Sequence, residues 1–174
     1  MAESEPSVAF RLIGLTGWSL TQLAFSRQSI SAASDAFAHR FGMLFPASIG
    51  HVSSNGETHA LRVAPDRIWM VSERASRVDP LGGDVGAWAS SMSLTDGQRR
   101  YRLSGSRLGE VLAKGIALDL DSPGLAPGRA ARTQLHRVPV LLHRLGDQRL
   151  NLHVPRSFAE SIEEWFADAQ VGLG

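Results

Sequence analysis

The sequence predicts an α+β fold, in which antiparallel sheets carry helices packed on them. Short runs with a period-two alternation of apolar and polar residues outnumber helical patterns along the 174 residues. Most consecutive runs are joined by short turns that contain Pro-Asp, Asp-Gly or Gly-Asp. Short turns join antiparallel neighbours, whereas parallel strands need long crossovers, so helices segregated onto antiparallel sheets are favoured.

The first elements are a strand region and a helix. Residues 7–25 alternate imperfectly, which predicts one or two strands interrupted near Gly14 and Gly17. A helix is predicted over residues 29–41, with Ser29 as its N-cap and Gly42 at its end. Its apolar residues share one face of a 3.6-residue period, namely Ile30, Ala33, Phe37 and Phe41.

A hairpin and a weaker helix are predicted next. Residues 59–73 indicate two antiparallel strands around a turn at Pro65-Asp66. A helix is predicted from Asp79 to Met92, although three glycines lower its propensity. We expect one domain over residues 1–174, and the glycine-rich region near residues 82–97 is the expected waist of a two-lobed arrangement.

The middle of the chain predicts a half-buried strand and a short helix. After a turn at Asp96-Gly97, the strand should place Tyr101 and Leu103 on one face and Arg100 and Arg102 on the other. Ser104 or Ser106 is expected to cap the short helix that follows, with a stripe of Leu108, Val111 and Leu112. A left-handed C-terminal cap is predicted at Gly115.

The last third predicts four strand segments and a closing helix. Residues 116–121 are interpreted as a half-buried strand, with Asp119 and Asp121 on its solvated edge. Residues 130–154 supply three further strand segments. Residues 157–160 fit a capping box for the closing helix. Its inward face is expected to hold Phe158, Ile162, Trp165, Phe166 and Ala169.

Composition excludes several classes of protein. The chain has no cysteine, so disulfides, thiolate nucleophiles and cysteine-based zinc sites are excluded. The first six residues are acidic and polar, unlike a secretory signal. The longest uncharged run, residues 41–56, is broken by glycine, proline and serine and is not a transmembrane segment. We expect a cytoplasmic protein with no membrane partner.

Charge is unevenly distributed along the chain. Residues 99–156 carry 11 basic and 4 acidic side chains, although the whole chain has a net charge of +1. All basic residues except Lys114 are arginine, a side chain suited to interfaces and to contacts with carboxylates. A solvated or protein-facing surface is favoured over a nucleic-acid site, because interleaved aromatic residues and recognised nucleic-acid motifs are missing.

No catalytic, cofactor or metal motif stands out. The sequence lacks a phosphate-binding loop, a dinucleotide fingerprint, a nucleophile elbow and a zinc-protease motif. Its six histidines are scattered, so no metal site is expected. Lys114 is interpreted as a cation at the end of its own helix, where the helix dipole favours it. A divalent-ion site at Asp119 and Asp121 is the less favoured alternative to a wet strand edge.

Residues 93–169 carry a series of short motifs in a defined order. An Asp-Gly turn precedes an arginine-bearing strand, then Leu-Ser-Gly, and a short helix that ends Leu-Ala-Lys-Gly. An acidic Asp-Leu step, a Pro-Gly step before a strand and Arg-Ser-Phe-Ala before the last helix follow. This order resembles the gamma subunit of heterotetrameric sarcosine oxidase, and residues 60–73 are also similar to the hairpin of that family with its central Pro-Asp.

The resemblance implies a fold and a role. The fold would be two small lobes similar to a reduced aminomethyltransferase, the T-protein of glycine cleavage. The complex demethylates sarcosine to glycine with formation of hydrogen peroxide, and passes the one-carbon unit to tetrahydrofolate. Related complexes act on other N-methyl amino compounds. FAD, FMN, NAD, tetrahydrofolate and zinc are implied for the alpha, beta and delta partners, with no cofactor and no catalytic residue in this chain.

Two other functions stay open at this point. One is a free-standing module that binds folate or another one-carbon carrier, which the fold alone supports weakly. The other is an independent enzyme, which no motif supports. If the chain is a subunit of a complex, the basic segment of residues 99–156 should form the interface. Arg100, Arg102 and Arg132 would then pair with acidic surfaces of the partners. Trp18, beside a glycine, is the tryptophan expected to be exposed at an interface.

Overall fold

The computed structural model describes residues 8–26, 30–75 and 88–171. The described strands are β1 (Arg11–Leu15), β2 (Ser19–Phe25), β3 (Val52–Ser54), β4 (Thr58–Ala64), β5 (Arg67–Ser72), β6 (Ala89–Ser93), β7 (Gln98–Ser104), β8 (Ala130–Leu135), β9 (Val138–Gly146) and β10 (Arg149–Pro155). The described α-helices are α1 (Ile30–Phe41), α2 (Leu108–Ala113) and α3 (Ala159–Ala169).

The chain divides into two compact units, each considered over its described residues. Thr16–Gly97 form one unit, called the inserted unit below. Met1–Leu15 together with Gln98–Gly174 form the other, called the terminal unit. The chain passes between units at Leu15-Thr16 and again at Gly97-Gln98. The expected waist over residues 82–97 lies partly outside the described residues and stays a prediction.

Each unit has one five-stranded antiparallel sheet. The terminal unit orders its strands β1-β7-β10-β9-β8, and the inserted unit orders them β3-β4-β5-β2-β6. The predicted hairpin around Pro65-Asp66 is confirmed as β4 and β5. Short turns also join β8 to β9 and β9 to β10. The predicted antiparallel character of the fold is therefore confirmed in both units.

The core of the inserted unit lies between its sheet and α1. Phe37 and Ala33 of α1 are fully buried. Phe37 meets the rings of Phe41 and Phe45, with ring centroids 4.8 and 5.4 Å away. Gly42 ends α1 in the left-handed conformation, with φ +63°, as predicted. Ser29, the predicted N-cap, lies outside the described residues.

The core of the terminal unit lies between one face of its sheet and α2 and α3. Phe166 of α3 is fully buried and stacks on Phe10, with centroids 5.6 Å apart. Tyr101 donates a hydrogen bond of 2.6 Å from its hydroxyl to Glu163 of α3. Burial and then this carboxylate raise the pKa of Tyr101 above its ordinary value. The bond therefore fastens α3 to the middle of the sheet.

Two helix predictions are wrong at one end. Residues 79–87 of the helix predicted from Asp79 to Met92 lie outside the described residues, but its last residues, 89–92, lie in strand β6, which pairs with β2. The capping box of the closing helix is also wrong, because α3 begins at Ala159 after a short 3₁₀ turn and no side chain caps it. Phe158 consequently points outward and is 43% exposed.

The expected strand over residues 116–121 is wrong as well. Ile116 forms a single bridge with Leu135, and no further pairing follows it. The carboxylate of Asp119 accepts a hydrogen bond of 2.9 Å from the backbone N–H of Asp121, which closes a local turn instead. The solvated character of these two aspartates is confirmed, because both are exposed.

The turn between β8 and β9 holds two non-glycine residues in the left-handed region. His136 has φ 46° and Arg137 has φ 72°. A two-residue hairpin of this type needs positive φ at both positions and is most favourable with Asn-Gly. The turn therefore stores backbone strain, because a side-chain Cβ disfavours this conformation.

Replacing the pair by Asn-Gly is expected to stabilise the protein. The double substitution His136→Asn with Arg137→Gly should raise the free energy of unfolding by about 1 kcal/mol, since the strain is relieved. Urea unfolding measures the change. The matched variant with alanine at both positions keeps the strain and should show no gain. An equal gain in both variants would show that the turn is not the cause.

Candidate functional site

One open cavity of about 390 Å³ lies within the terminal unit. Its walls come from α2, from the loop that follows α2 and from the turn between β9 and β10. The apolar part of the lining is supplied by Leu108, Gly109, Ala113, Leu118, Leu120 and Leu150, and the charged part by Asp119, Asp121, Arg144 and Asp147. The cavity therefore has aliphatic walls and a largely acidic rim.

Arg144 gives this cavity its shape. Its guanidinium donates to the backbone carbonyl of Leu120, and at 3.3 Å to that of Leu125. It also donates to the carbonyls of Gly146 at 3.3 Å and Asp147 at 3.4 Å. Arg144 thus holds the loop of residues 117–125 against the sheet, which a lysine with one compact ammonium would do less well.

The described lining offers apolar, carboxylate and guanidinium contacts but no hydroxyl, imidazole or amine side chain. Among the described residues that line the cavity, none is a serine, threonine, histidine or lysine. A nucleophile activated by a neighbouring base is therefore not built here. Asp119 already uses one carboxylate oxygen in its local turn. No group of three or more potential metal ligands is found within the described ranges.

Lys114 lies at the end of α2, as predicted, and its side chain reaches a second helix. Its ammonium donates a hydrogen bond of 2.6 Å to the carbonyl of Ala169, the last residue of α3. A cation at this end satisfies a carbonyl that lacks a helical partner and meets the negative end of the α3 dipole. Lys114 thus stays at the end of its own helix and also joins α2 to α3, a contact that the sequence did not predict.

The middle of the second face of the terminal sheet holds four buried polar side chains. Arg100 of β7 lies opposite His153 of β10, and Asn151 of β10 lies opposite His143 of β9. All four are at most 3% exposed. Strand alternation places them on the face opposite Tyr101, as predicted for Arg100, but that face is not solvated at these four positions. Its edge strands are more exposed, as at Arg132 of β8.

His153 is held neutral by this environment. Complete burial lowers its pKa well below the ordinary value of 6.5, and the neighbouring Arg100 and His143 lower it further. Because the unfolded chain protonates near 6.5 while the folded chain does not, the unfolded state binds more protons below that pH. The contribution of His153 to stability is therefore fully present above about pH 6.5 and is lost progressively as pH decreases from there toward the pKa of the folded state.

We expect His153→Gln to flatten this pH dependence. The loss of unfolding free energy between about pH 7.5 and pH 5 should be smaller in the variant than in the native chain, because glutamine does not titrate. Urea unfolding at both pH values measures the difference. His136→Asn is the matched control, since His136 is exposed in the same unit. A variant that keeps the native slope would assign the pH dependence to other groups.

The four residues predicted to form an interface have different positions. Arg100 is 1% exposed and Trp18 is 8% exposed, so the expectation that they lie on an exposed surface is wrong. Arg102 is half-buried and donates a hydrogen bond of 3.0 Å to the Asn151 side chain. Arg132 is exposed on β8, one of the two edge strands of its sheet. Arg132 stays the best placed of the four for a partner contact.

The sequence interpretation missed an exposed apolar loop in the inserted unit. Residues 42–50 follow α1 and carry no charged side chain. Leu44 is 80% exposed and Ile49 is 54% exposed. The sequence predicts a loop over residues 43–57, and the signal for its exposed apolar side chains is the presence of Leu44 and Ile49 in a stretch without charged residues. Within the described residues, no helix is long and apolar enough to cross a bilayer.

Comparison with protein families and curated proteins identifies relatives over most of the chain. The model of the sarcosine oxidase, gamma subunit family matches residues 28–172. Sarcosine oxidase subunit gamma of Corynebacterium sp. (strain U-96) is 29% identical over 168 residues, covering 95% of this chain and 80% of that protein. Sarcosine oxidase subunit gamma of Arthrobacter sp. is 30% identical over 155 residues, covering 86% and 75%.

Solved structures agree with this comparison. A chain of heterotetrameric sarcosine oxidase from Corynebacterium sp. U-96, in complex with pyrrole 2-carboxylate, matches with a TM-score of 0.85 at 26% identity, covering 96% of this chain and 88% of that chain. Aminomethyltransferase T of the glycine cleavage system from Bartonella henselae matches with a TM-score of 0.65 at 15% identity, covering 92% and 46%. The second likeness confirms the predicted aminomethyltransferase-like fold and carries no function. With the family model matching most of its length, the chain belongs to the sarcosine oxidase gamma subunit family.

Proposed function

We propose that this chain is the gamma subunit of a heterotetrameric sarcosine oxidase and acts there as a non-catalytic accessory subunit. The observation that carries the proposal is the match to a chain of such an enzyme, with a TM-score of 0.85 over 96% of this chain. A likeness of that extent includes both units of the chain, so no large part of the fold lies outside the match.

The partners in this proposal are the alpha, beta and delta subunits. FAD, FMN, NAD, tetrahydrofolate and zinc are assigned to them, and the assembled enzyme oxidises sarcosine to glycine in the cytoplasm. The reaction releases hydrogen peroxide and transfers the one-carbon unit to tetrahydrofolate. Another N-methyl amino compound as substrate would leave the role of this chain unchanged. Folate binding by the chain alone is not favoured, because the aminomethyltransferase likeness at 15% identity shows the fold only.

Affinity purification from the native host tests the proposal. The tagged chain should retain three partner proteins, and the purified complex should show the absorbance of bound flavin. Mass spectrometry identifies the partners, and hydrogen peroxide release on addition of sarcosine identifies the activity. A tagged, folded chain that elutes alone, with no flavin absorbance, would overturn the proposal.

A further inference from the structure

The cavity of the terminal unit has an apolar floor that continues the core. Leu108 and Leu150 are 5% and 2% exposed and belong to the core of that unit. Leu118 and Leu120 are half-buried and pack against the same core. All four side chains line the cavity, whose volume of about 390 Å³ lies within the usual range for small-molecule sites. An aliphatic group placed against these leucines would be removed from water, which is favourable.

The rim of the cavity is negatively charged. Three aspartates and one arginine line it, which gives these side chains a net charge of −2. Asp119 and Asp121 are exposed and form no salt bridge with another described residue. The side chain of Asp147 is 89% exposed, and its carboxylate lies 3.9 Å from the guanidinium of Arg144. A cationic group is therefore favoured over an anionic one at this rim.

The single arginine of the lining is already engaged. The guanidinium of Arg144 donates hydrogen bonds to four backbone carbonyls, which are those of Leu120, Leu125, Gly146 and Asp147. A guanidinium has five N–H donors in a fixed plane, so little of its donor capacity is left for an anion. Arg144 shapes the cavity without turning it into an anion site.

A bare metal ion does not suit these carboxylates. In the described part of the chain, no three potential metal ligands come close enough together to hold one ion. A divalent ion would also leave the leucine floor without a role, because its ligands are oxygen atoms. No aromatic ring is among the described residues that line the cavity, so the aromatic cage that recognises quaternary ammonium groups is not built here. A hydrogen-bonding ammonium on an aliphatic chain matches both the rim and the floor.

The chain does not supply this ammonium itself. Lys114 is its only lysine and follows Ala113, which lines the cavity. The ammonium of Lys114 donates to the carbonyl of Ala169 at the end of α3, at 2.6 Å. The one lysine of the chain is therefore committed to a different contact.

Small residues of α2 leave room beside the leucines. Gly109 and Ala113 are exposed and form one wall of the cavity. A Cβ added at Gly109 would meet no atom within 4 Å. A long side chain at position 109 can therefore fill the cavity without displacing the core, which gives a direct way to block it.

We propose that this cavity binds a primary ammonium group carried on a short unbranched aliphatic stem. The stem lies against the four leucines, and the ammonium stays at the wet rim beside Asp121 and Asp147, as long cationic side chains do on apolar surfaces. Two sources share this chemistry, namely a free alkylamine and a lysine side chain of another protein. The proposal concerns the chain's own cavity and stands independently of the proposed function.

Three probes of equal length test the chemistry. Pentylammonium, pentanol and pentanoate share the stem and differ in the charge of the head group. Ligand-observed saturation-transfer NMR on the full-length protein should show pentylammonium binding about fivefold more tightly than pentanol, because two exposed charge contacts each contribute modestly. Pentanoate should bind more weakly still. Equal binding of pentylammonium and pentanol, or no binding of either, overturns the proposal.

Substitutions locate the bound probe. Asp121→Asn together with Asp147→Asn should weaken pentylammonium binding about fivefold and leave pentanol binding unchanged, because only the charge is removed. Gly109→Leu should abolish the binding of both probes. Asp168→Asn is the matched control, since Asp168 is exposed on α3 in the same unit but does not line the cavity. An equal loss of pentylammonium binding in Asp168→Asn would overturn the assignment to this cavity.

A second arm identifies which source carries the ammonium. A carbodiimide joins a carboxylate to a neighbouring amine as an amide with loss of water, so it can be applied to the protein as purified from its host. A cross-link from Asp121 or Asp147 to a lysine of another protein, identified by mass spectrometry, supports the proposal and assigns the ammonium to that protein. Pentylammonium binding with no such cross-link supports a free alkylamine.

Discussion

Replacing Arg62 with methionine is expected to lower the free energy of unfolding of the inserted unit by about 3 kcal/mol. The substitution removes three hydrogen bonds from a charged donor to the carbonyls of Pro46, Ala47 and Pro65. Methionine keeps much of the aliphatic volume and makes favourable contacts with aromatic rings, so packing beside Phe25 and Phe45 is largely retained. The expected loss therefore reports the hydrogen bonds.

Arg67→Met is the control for the loss of a positive charge. The side chain of Arg67 is 49% exposed and lies 3.8 Å from the Asp66 carboxylate, a surface pair of little energetic value. Urea unfolding should give less than about 0.5 kcal/mol for this variant. Arg62→Lys is expected to lie in between, because one ammonium does not reach carbonyls on both sides. An equal, small effect of Arg62→Met and Arg67→Met would contradict the assigned role.

The burial of Arg62 beneath the loop of residues 42–50 was hard to predict from the sequence. Its pKa is lowered by desolvation, because burial disfavours the charged form. In the sequence, Arg62 alternates with Leu61 and Val63, a pattern typical of a solvated position on a strand. A β-bulge between Arg62 and Ala64 disrupts that simple alternation. The alternation of apolar and polar residues predicts the face of the strand on which a side chain lies. It does not predict which other elements cover that face.

The same limit applies to the terminal sheet. Periodicity correctly separated Tyr101 and Leu103 from Arg100 and Arg102 on β7. It did not show that Arg100 is covered, because coverage depends on elements distant in the sequence. Local signals were sufficient for the hairpin around Pro65-Asp66 and for the body of α3, where turn chemistry and apolar period agree. They were insufficient for the start of α3, where a short 3₁₀ turn stands in place of the predicted capping box.

The contact between Lys114 and Ala169 shows a second limit. A cation in the last turn of a helix is explained locally by that helix. Here the ammonium reaches the end of α3, which lies 55 residues further along the chain. Only the packing of α2 beside α3 makes this partner available. Lys114, which the sequence explains as the end of one helix, therefore joins two helices of the terminal unit.

Gly115 is a second residue whose role depends on contacts with elements distant in the sequence. We expected a left-handed helix cap, but its φ is not among the positive values of the described glycines. A Cβ added there would lie 2.8 Å from Cδ1 of Leu135 and 2.9 Å from Cη2 of Trp165. Contacts this short are not tolerated between carbon atoms. Glycine is required here because a side chain from β8 and another from α3 approach its backbone.

Gly115→Ala should therefore lower the free energy of unfolding by about 2 kcal/mol through overpacking. Gly109→Ala is the matched control in α2: an added Cβ at Gly109 has no atom within 4 Å, so alanine should raise stability by about 0.5–1 kcal/mol. Urea unfolding measures both changes, which are expected to have opposite signs. A gain in both variants would show that the terminal unit adjusts freely around position 115.

A double-mutant cycle with Trp165 locates the source of the clash. Trp165→Phe removes the outer part of the indole that approaches Gly115, at the expense of some contact with Phe166, whose ring centroid is 5.0 Å away. The double variant should be more stable than the sum of the single changes predicts, by about 1 kcal/mol. Additive effects would instead assign the clash to Leu135, the other neighbour of the added carbon. In either case β8 and α3 pack closely against a position after α2 that has no side chain. This packing explains the glycine at position 115, whereas helix capping does not.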